Sequence, residues 1–108
     1  MKLKLFAIPF LFALPCLAET WRDVPIVDVA CSSKVKADPD SHTRDCALKC
    51  EKSGYAIVAP DGTVLKLDEK GNQEAIAALK ASKKTSHLRA TVTGDREGNT
   101  IKVTSLTM

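Results

Sequence analysis

The sequence predicts a small, mainly β domain of the α+β class, with five strands and two short helices. Short segments in which apolar and polar residues alternate recur along the chain, and strong turn signals separate them. Two further segments are rich in helix-forming residues and carry helix caps. The predicted order is strand, helix, strand, strand, helix, strand, strand.

The first strand and the first helix fall in the N-terminal half of this domain. Residues 26–31 are rich in β-branched side chains, which favour a strand that ends at a cysteine. Residues 32–40 are polar and are predicted to form a loop. Residues 41–53 are predicted to form a helix, with Ser41 or Thr43 as its N-cap.

A hairpin and the second helix follow. Residues 55–59 and 63–68 are predicted strands, and Pro-Asp-Gly at 60–62 between them is a strong turn signal. Asn72 is predicted to cap a helix over residues 73–82, a segment dominated by strong helix formers.

The last two strands form a second predicted hairpin. Residues 87–93 and 100–106 both alternate between apolar and polar side chains, and a polar turn separates them. Five strands with a helix between the third and the fourth are typical of the oligonucleotide/oligosaccharide-binding (OB) barrel. We therefore expect a small OB-like barrel, with a small open α+β sheet as the alternative.

The first 18 residues are predicted to be a secretory signal peptide. A basic start precedes an apolar run at 5–14, and the small residue Ala18 suits a cleavage site. The run is shorter than the ~20 residues of a transmembrane helix, so no transmembrane segment is expected. Cys16 would be the lipid-anchor site of a lipoprotein, but Pro15 in front of it disfavours that interpretation. We expect one domain, residues 19–108, that is periplasmic or secreted.

The composition of the mature chain excludes nucleic acid as a partner. Lys2 and Lys4 leave with the leader, so 16 basic residues become 14 against 13 acidic ones, and the net charge is +1. Trp21 and Tyr55 are then the two remaining aromatic residues, and both are expected in the core. Nucleic-acid binding needs clustered positive charge or aromatic stacking platforms, and this chain offers neither.

Three cysteines remain after removal of the leader: Cys31, Cys46 and Cys50. An exported chain meets an oxidising compartment, so a disulfide is the default expectation, although an odd number leaves one thiol over. Cys46 and Cys50 are four residues apart on the predicted helix, where their parallel side chains make the disulfide dihedral hard to reach. We therefore expect Cys31 to pair with Cys46 or with Cys50, which would contribute roughly 3 kcal/mol.

The alternative for these residues is a metal site. His42, Cys46 and Cys50 share one face of the predicted helix, and Cys31 could add a fourth ligand from the strand. Thiolates and an imidazole suit zinc, and the thiolates also suit copper(I), but the spacing is not that of a zinc finger. A thiol redox protein is a third interpretation, although no Cys-x-x-Cys motif is present.

A recurring pattern of residues resembles a loosely defined group of small, mostly uncharacterised exported bacterial proteins. The pattern comprises Val27, Val29 and Cys31, then residues 45–50, 54–55, 61–67, 92–94 and 100–103. This resemblance covers most of the mature chain and implies an OB-like barrel with a cysteine-containing first loop. It implies no agreed activity, because OB barrels host many unrelated functions.

Taken together, the sequence predicts an exported binding or accessory module rather than an enzyme. It contains no Ser/His/Asp set, no phosphate loop and no paired carboxylates placed for acid–base catalysis. Its partner would be an unknown protein or small ligand, and one disulfide would stabilise it. The metal-binding and thiol-redox interpretations stay open.

Overall fold

The computed structural model describes residues 18–108, which form a closed five-stranded barrel with the strand order β1-β2-β3-β5-β4. The strands are β1 (Glu19–Asp28), β2 (Tyr55–Val58), β3 (Val64–Leu67), β4 (Arg89–Glu97) and β5 (Thr100–Thr107), and the helices are α1 (Ser32–Val35), α2 (Arg44–Lys49) and α3 (Glu69–Ala81). The predicted mainly β, OB-like fold is confirmed. The predicted signal peptide, apart from Ala18, and the lipid-anchor alternative at Cys16 lie outside the described residues.

No helix within residues 18–108 is long and apolar enough to cross a membrane.

Strand β1 is longer than predicted and pairs with two neighbouring strands. Residues 19–25, which precede the predicted strand, pair with β4, and residues 26–28 pair with β2. The register shifts between Trp21 and Val24, where Asp23 adopts a left-handed backbone with φ of 50°. A bulge of this kind bends a strand and increases its twist, which is what a small closed barrel requires. The irregularity also hides the alternation by which a strand is recognised in a sequence.

The barrel interior holds one apolar core. Trp21 is 8% exposed and Tyr55 is fully buried, which confirms that both aromatic residues lie in the core. The hydroxyl of Tyr55 donates to the carbonyl of Ala47 in α2 at 2.8 Å. Burial, with added negative charge from Glu51 and Asp28, raises the pKa of Tyr55 to about 12. The largest of the other core side chains are Ile26, Ile57, Leu65, Leu79, Leu88, Val92 and Ile101.

The prediction of a loop over residues 32–40 is wrong in part. Helix α1 lies within this range, and a 3-10 turn at Pro39–Ser41 overlaps its end. Val35 of α1 packs against a second apolar cluster on the outer face of the barrel, which is formed by Val27, Ala56 and Val58. A single apolar residue in a polar stretch produces no periodicity, so this contact could not be predicted from the pattern.

The first predicted helix, residues 41–53, is also shorter in the structure. Thr43 is its N-cap and accepts the backbone N–H of Cys46 at 3.2 Å, so α2 covers only Arg44–Lys49. His42 precedes the helix with an extended backbone, and Cys50 ends it. The prediction that His42 lies on the same helical face as the cysteines is therefore wrong.

Helix α3 begins at Glu69, four residues before the predicted start. Asp68 is its N-cap and accepts the N–H of Gly71 at 3.0 Å. Asn72, the predicted cap, instead accepts the N–H of Tyr55 at 2.8 Å and so fixes the start of β2. Both residues are good caps, and only the tertiary contact decides between them.

Two arginines hold the start of α2 and the segment before it against the rest of the domain. Arg89 of β4 makes a two-pronged contact with the carboxylate of Asp40, at 3.1 and 2.7 Å. Arg44 donates to the carbonyl of Ser82 at 2.8 Å. The hydrogen bond from the Arg89 guanidinium lowers the pKa of Asp40. His42 is therefore held between two anchored residues.

Replacement of Gly71 by alanine tests the packing of α3 against β5. A Cβ atom at position 71 would lie 2.5 Å from Cγ2 of Val103 and 2.9 Å from Cβ of Leu67. Helix propensity alone would favour Gly71→Ala by about 1 kcal/mol. We expect instead a loss of about 1–3 kcal/mol in the free energy of unfolding, because the added methyl group would overpack the space between α3 and β5. Chemical denaturation measures this, and a stabilised Gly71→Ala protein would contradict the packing.

The Asp40–Arg89 pair predicts a pH-dependent contribution to stability. Because the folded pKa of Asp40 is lowered, the contribution is present above its ordinary pKa and is lost as the pH falls through the folded value. Both side chains are partly exposed, so Asp40→Asn should cost at most about 1 kcal/mol at pH 7. Urea denaturation measures this loss of stability, which should become smaller under strongly acidic conditions. In a protein that already carries Arg89→Met, Asp40→Asn should have little effect on the free energy of unfolding. An equal loss with and without Arg89 would contradict the pairing of Asp40 with Arg89.

Candidate functional site

The site lies where the long connection between β1 and β2 starts and ends. Asp28 and Tyr55 are the last paired residues of these antiparallel strands, so the chain leaves and re-enters the sheet at one place. Just beyond, the N–H of Val29 donates to the carbonyl of Gly54 at 2.8 Å. The first and the last residues of the connection are therefore neighbours in space.

Asp28 lies at the bottom of the site and is fully buried. Its Oδ2 accepts the backbone N–H of Cys31 at 3.0 Å and so caps the 3-10 turn Val29–Cys31. Its Oδ1 is joined to Nε2 of His42 by a hydrogen bond of 2.6 Å. A carboxylate removed from water needs such partners, because burial of an unpaired charge is very costly.

Cys31 and Cys50 lie beside this carboxylate. The two thiol sulphurs and one oxygen of Asp28 all lie within 4.8 Å of one another. Cys31 and Cys50 are 4.5 Å apart and are not bonded. Both cysteines are half-buried, whereas the carboxylate of Asp28 is fully buried. Among residues 18–108, this is the one group of three such donors close enough to share a metal ion.

The electrostatics of the group disfavour a negative charge on Cys31. Burial raises the pKa of the Cys31 thiol, and the hydrogen bond and negative charge of Asp28 and the nearby Cys50 raise it further. A bound cation would oppose this effect, because a nearby positive charge favours the thiolate form of a cysteine.

The structure places the four predicted site residues in three different positions. Cys31 and Cys50 meet in the cluster, although Cys31 lies in a 3-10 turn rather than in the predicted strand. His42 is 6% exposed and contacts Asp28 instead of the cysteines. Cys46 is exposed on α2 and lies outside the group of donors. The thiols of Cys31, Cys46 and Cys50 are all free.

The sequence interpretation did not identify Asp28 as a site residue. A signal was present, because Asp28 interrupts an apolar, β-branched strand three residues before Cys31. Asp is rarely fully buried without a partner, and a carboxylate within a core-facing strand therefore calls for one.

An open cleft of about 560 Å³ lies next to this region and offers less chemistry. Its lining is polar and includes Asp38, Arg44, Asp45 and His87. Asp40, which also lines this cleft, already forms an ion pair with Arg89. The cleft gathers no set of donors comparable with Asp28 and the two cysteines.

Comparison of the chain with protein-family models, with curated proteins and with solved structures finds no match. The function must therefore be inferred from the chemistry of Asp28, Cys31 and Cys50.

Proposed function

We propose that this chain is an exported, non-enzymatic domain that binds a zinc ion through Asp28, Cys31 and Cys50. The observation that carries the proposal is the mutual proximity of these three donor atoms, all within 4.8 Å of one another. They belong to the two ends of one connection, which the barrel strands hold together.

The spacing of the sulphurs suits a shared ion. Two sulphurs that each lie about 2.3 Å from a tetrahedral zinc ion are about 3.8 Å from each other. Cys31 and Cys50 are 4.5 Å apart, so binding would draw them together by about 0.7 Å, which side-chain rotation can supply.

The mixture of donors favours zinc over copper(I). Two thiolates would suit either ion, but the third donor is a carboxylate oxygen, which is a hard ligand. Zinc accepts sulphur and oxygen together, whereas copper(I) is selected by soft ligands alone. Each carboxylate oxygen has two lone pairs, so Asp28 can bind an ion and keep its hydrogen bonds to His42 and Cys31.

The fourth position of a tetrahedral site would be filled from outside the cluster. Both sulphurs are half-buried rather than enclosed, which leaves room for a water molecule or for a donor from a small ligand or partner protein. This agrees with the role of a binding or accessory module that the sequence predicts.

His42 would act on the ion indirectly, by positioning Asp28. Partners that hydrogen-bond to a metal ligand fix its orientation and its basicity. His42 reaches Asp28 with a 2.6 Å hydrogen bond and is itself held by the N–H of its backbone, which donates to Pro39. It is therefore assigned as a positioning residue.

Zinc titration of the reduced mature protein, in competition with a chromogenic chelator, tests the proposal. We expect one zinc per chain, and a loss of affinity of more than about 100-fold in Cys31→Ser, Cys50→Ser and Asp28→Asn, because each removes a ligand. Cys46→Ser is the matched control, since it removes an exposed thiol outside the cluster, and it should bind as the wild type does.

Two outcomes would overturn this assignment. A wild-type protein that binds no zinc when fully reduced would remove the metal site altogether. A Cys46→Ser protein that loses zinc as strongly as Cys50→Ser does would mean that a different set of thiols holds the ion. Circular dichroism of each variant would establish that it is folded.

Two substitutions of His42 separate its positioning role from simple packing. His42→Phe fills the space but removes the hydrogen bond to Oδ1 of the buried Asp28, which keeps only the N–H of Cys31, and should lower the free energy of unfolding by about 1–3 kcal/mol. His42→Gln keeps a donor and should cost less. We expect zinc affinity to fall by about 10–100-fold in His42→Phe and to be partly retained in His42→Gln. Equal zinc affinities in the two variants would contradict the positioning role.

A further inference from the structure

The two sulphurs of the cluster are also placed to bond to each other. Cys31 and Cys50 are 4.5 Å apart, and a change of rotamer moves a cysteine sulphur by about 3 Å. Closure of a disulfide, with sulphurs about 2.05 Å apart, is therefore within reach of side-chain rotation. Both thiols are half-buried, so a small oxidant can approach them from solvent.

We propose that the Cys31–Cys50 pair is a redox switch that releases the zinc ion when a low-molecular-weight disulfide oxidises it. This inference rests on the proposed function, because the released ion is the one held by Asp28 and the two cysteines. The same two sulphur atoms cannot bind the ion and bond to each other, so the zinc-bound form and the disulfide form exclude each other.

The chemistry is a two-step thiol–disulfide exchange. One cysteine sulphur attacks the external disulfide, whose S–S bond breaks, and a mixed disulfide forms while one thiolate leaves. The second cysteine sulphur attacks the mixed disulfide, and the second thiolate leaves as the Cys31–Cys50 bond forms. Two electrons pass from the two cysteine sulphurs to the external disulfide, which becomes two thiolates, and the zinc ion departs.

The positions of the remaining donors make the release complete. After oxidation, only the carboxylate of Asp28 is left of the three ligands, and it is hydrogen-bonded to His42 and Cys31. Cys46 lies outside the cluster and does not replace a lost sulphur. The position of Cys46 therefore makes it the thiol left over from the odd number of cysteines.

The test uses the mature protein, loaded with zinc and treated with glutathione disulfide as the probe. We expect release of one zinc per chain to a chromogenic chelator, a mass two hydrogens below that of the reduced metal-free protein, and one remaining alkylatable thiol. Peptide mapping should find Cys31 joined to Cys50 and the alkylated thiol at Cys46. Reduction should restore zinc binding.

Variants and outcomes separate the switch from the metal site itself. Cys46→Ser should release zinc and form the disulfide as the wild type does, and failure of this variant to do so would overturn the Cys31–Cys50 pairing. Zinc that stays bound while glutathione attaches only to Cys46 would overturn the switch and leave the metal site standing. A reduced protein that binds no zinc would instead overturn the proposed function, whether or not a disulfide forms.

Discussion

The buried carboxylate of Asp28 constrains everything else at the site. A fully buried carboxylate at the end of β1 can be retained only if the chain around it supplies polar partners. The turn that follows supplies one at Cys31, and the chain returns to supply a second at His42. The connection between β1 and β2 is thus tied to the barrel near its beginning and again in its middle. The ion pair of Asp40 with Arg89 holds the chain to the barrel a second time in this middle part, two residues before His42.

Strand pairing then determines which cysteines meet. Because β1 and β2 are antiparallel and end their ladder at Asp28 and Tyr55, the residues just outside the ladder are neighbours whatever the connection does in between. Cys31 follows Asp28 by three residues, and Cys50 precedes Tyr55 by five. Cys46 lies a further helical turn away from the sheet, which is enough to leave it outside the cluster. The barrel acts as a rigid frame that brings two distant parts of the sequence to one point, as functional sites require.

The element order and the apolar alternation of β4 and β5 were sufficient to predict the barrel, because tertiary packing there agrees with local pattern. The prediction was wrong where a single tertiary contact determines the local structure. Asp68 rather than Asn72 caps α3 because Asn72 is occupied by Tyr55, and this competition cannot be read from local sequence. The cysteines of the site were recognisable from their rarity and the expected export. Their arrangement was not, because it depends on the length of α2 and on a buried residue, Asp28, that cysteine spacing alone does not reveal.

The proposed export of a chain with this thiol cluster bears on the choice between a disulfide and a metal ion. Thiols that reach an exported compartment are normally oxidised, so a purely structural role would be best served by a pair that closes at once. Here the pair is instead next to a buried carboxylate, whose charge a disulfide does not neutralise and a cation does. The disulfide form would leave Asp28 with its hydrogen bonds to His42 and Cys31, whereas the metal form would also place a cation among the donors. The proposed site would respond to both metal supply and oxidant, because metal binding and disulfide formation use the same two sulphurs.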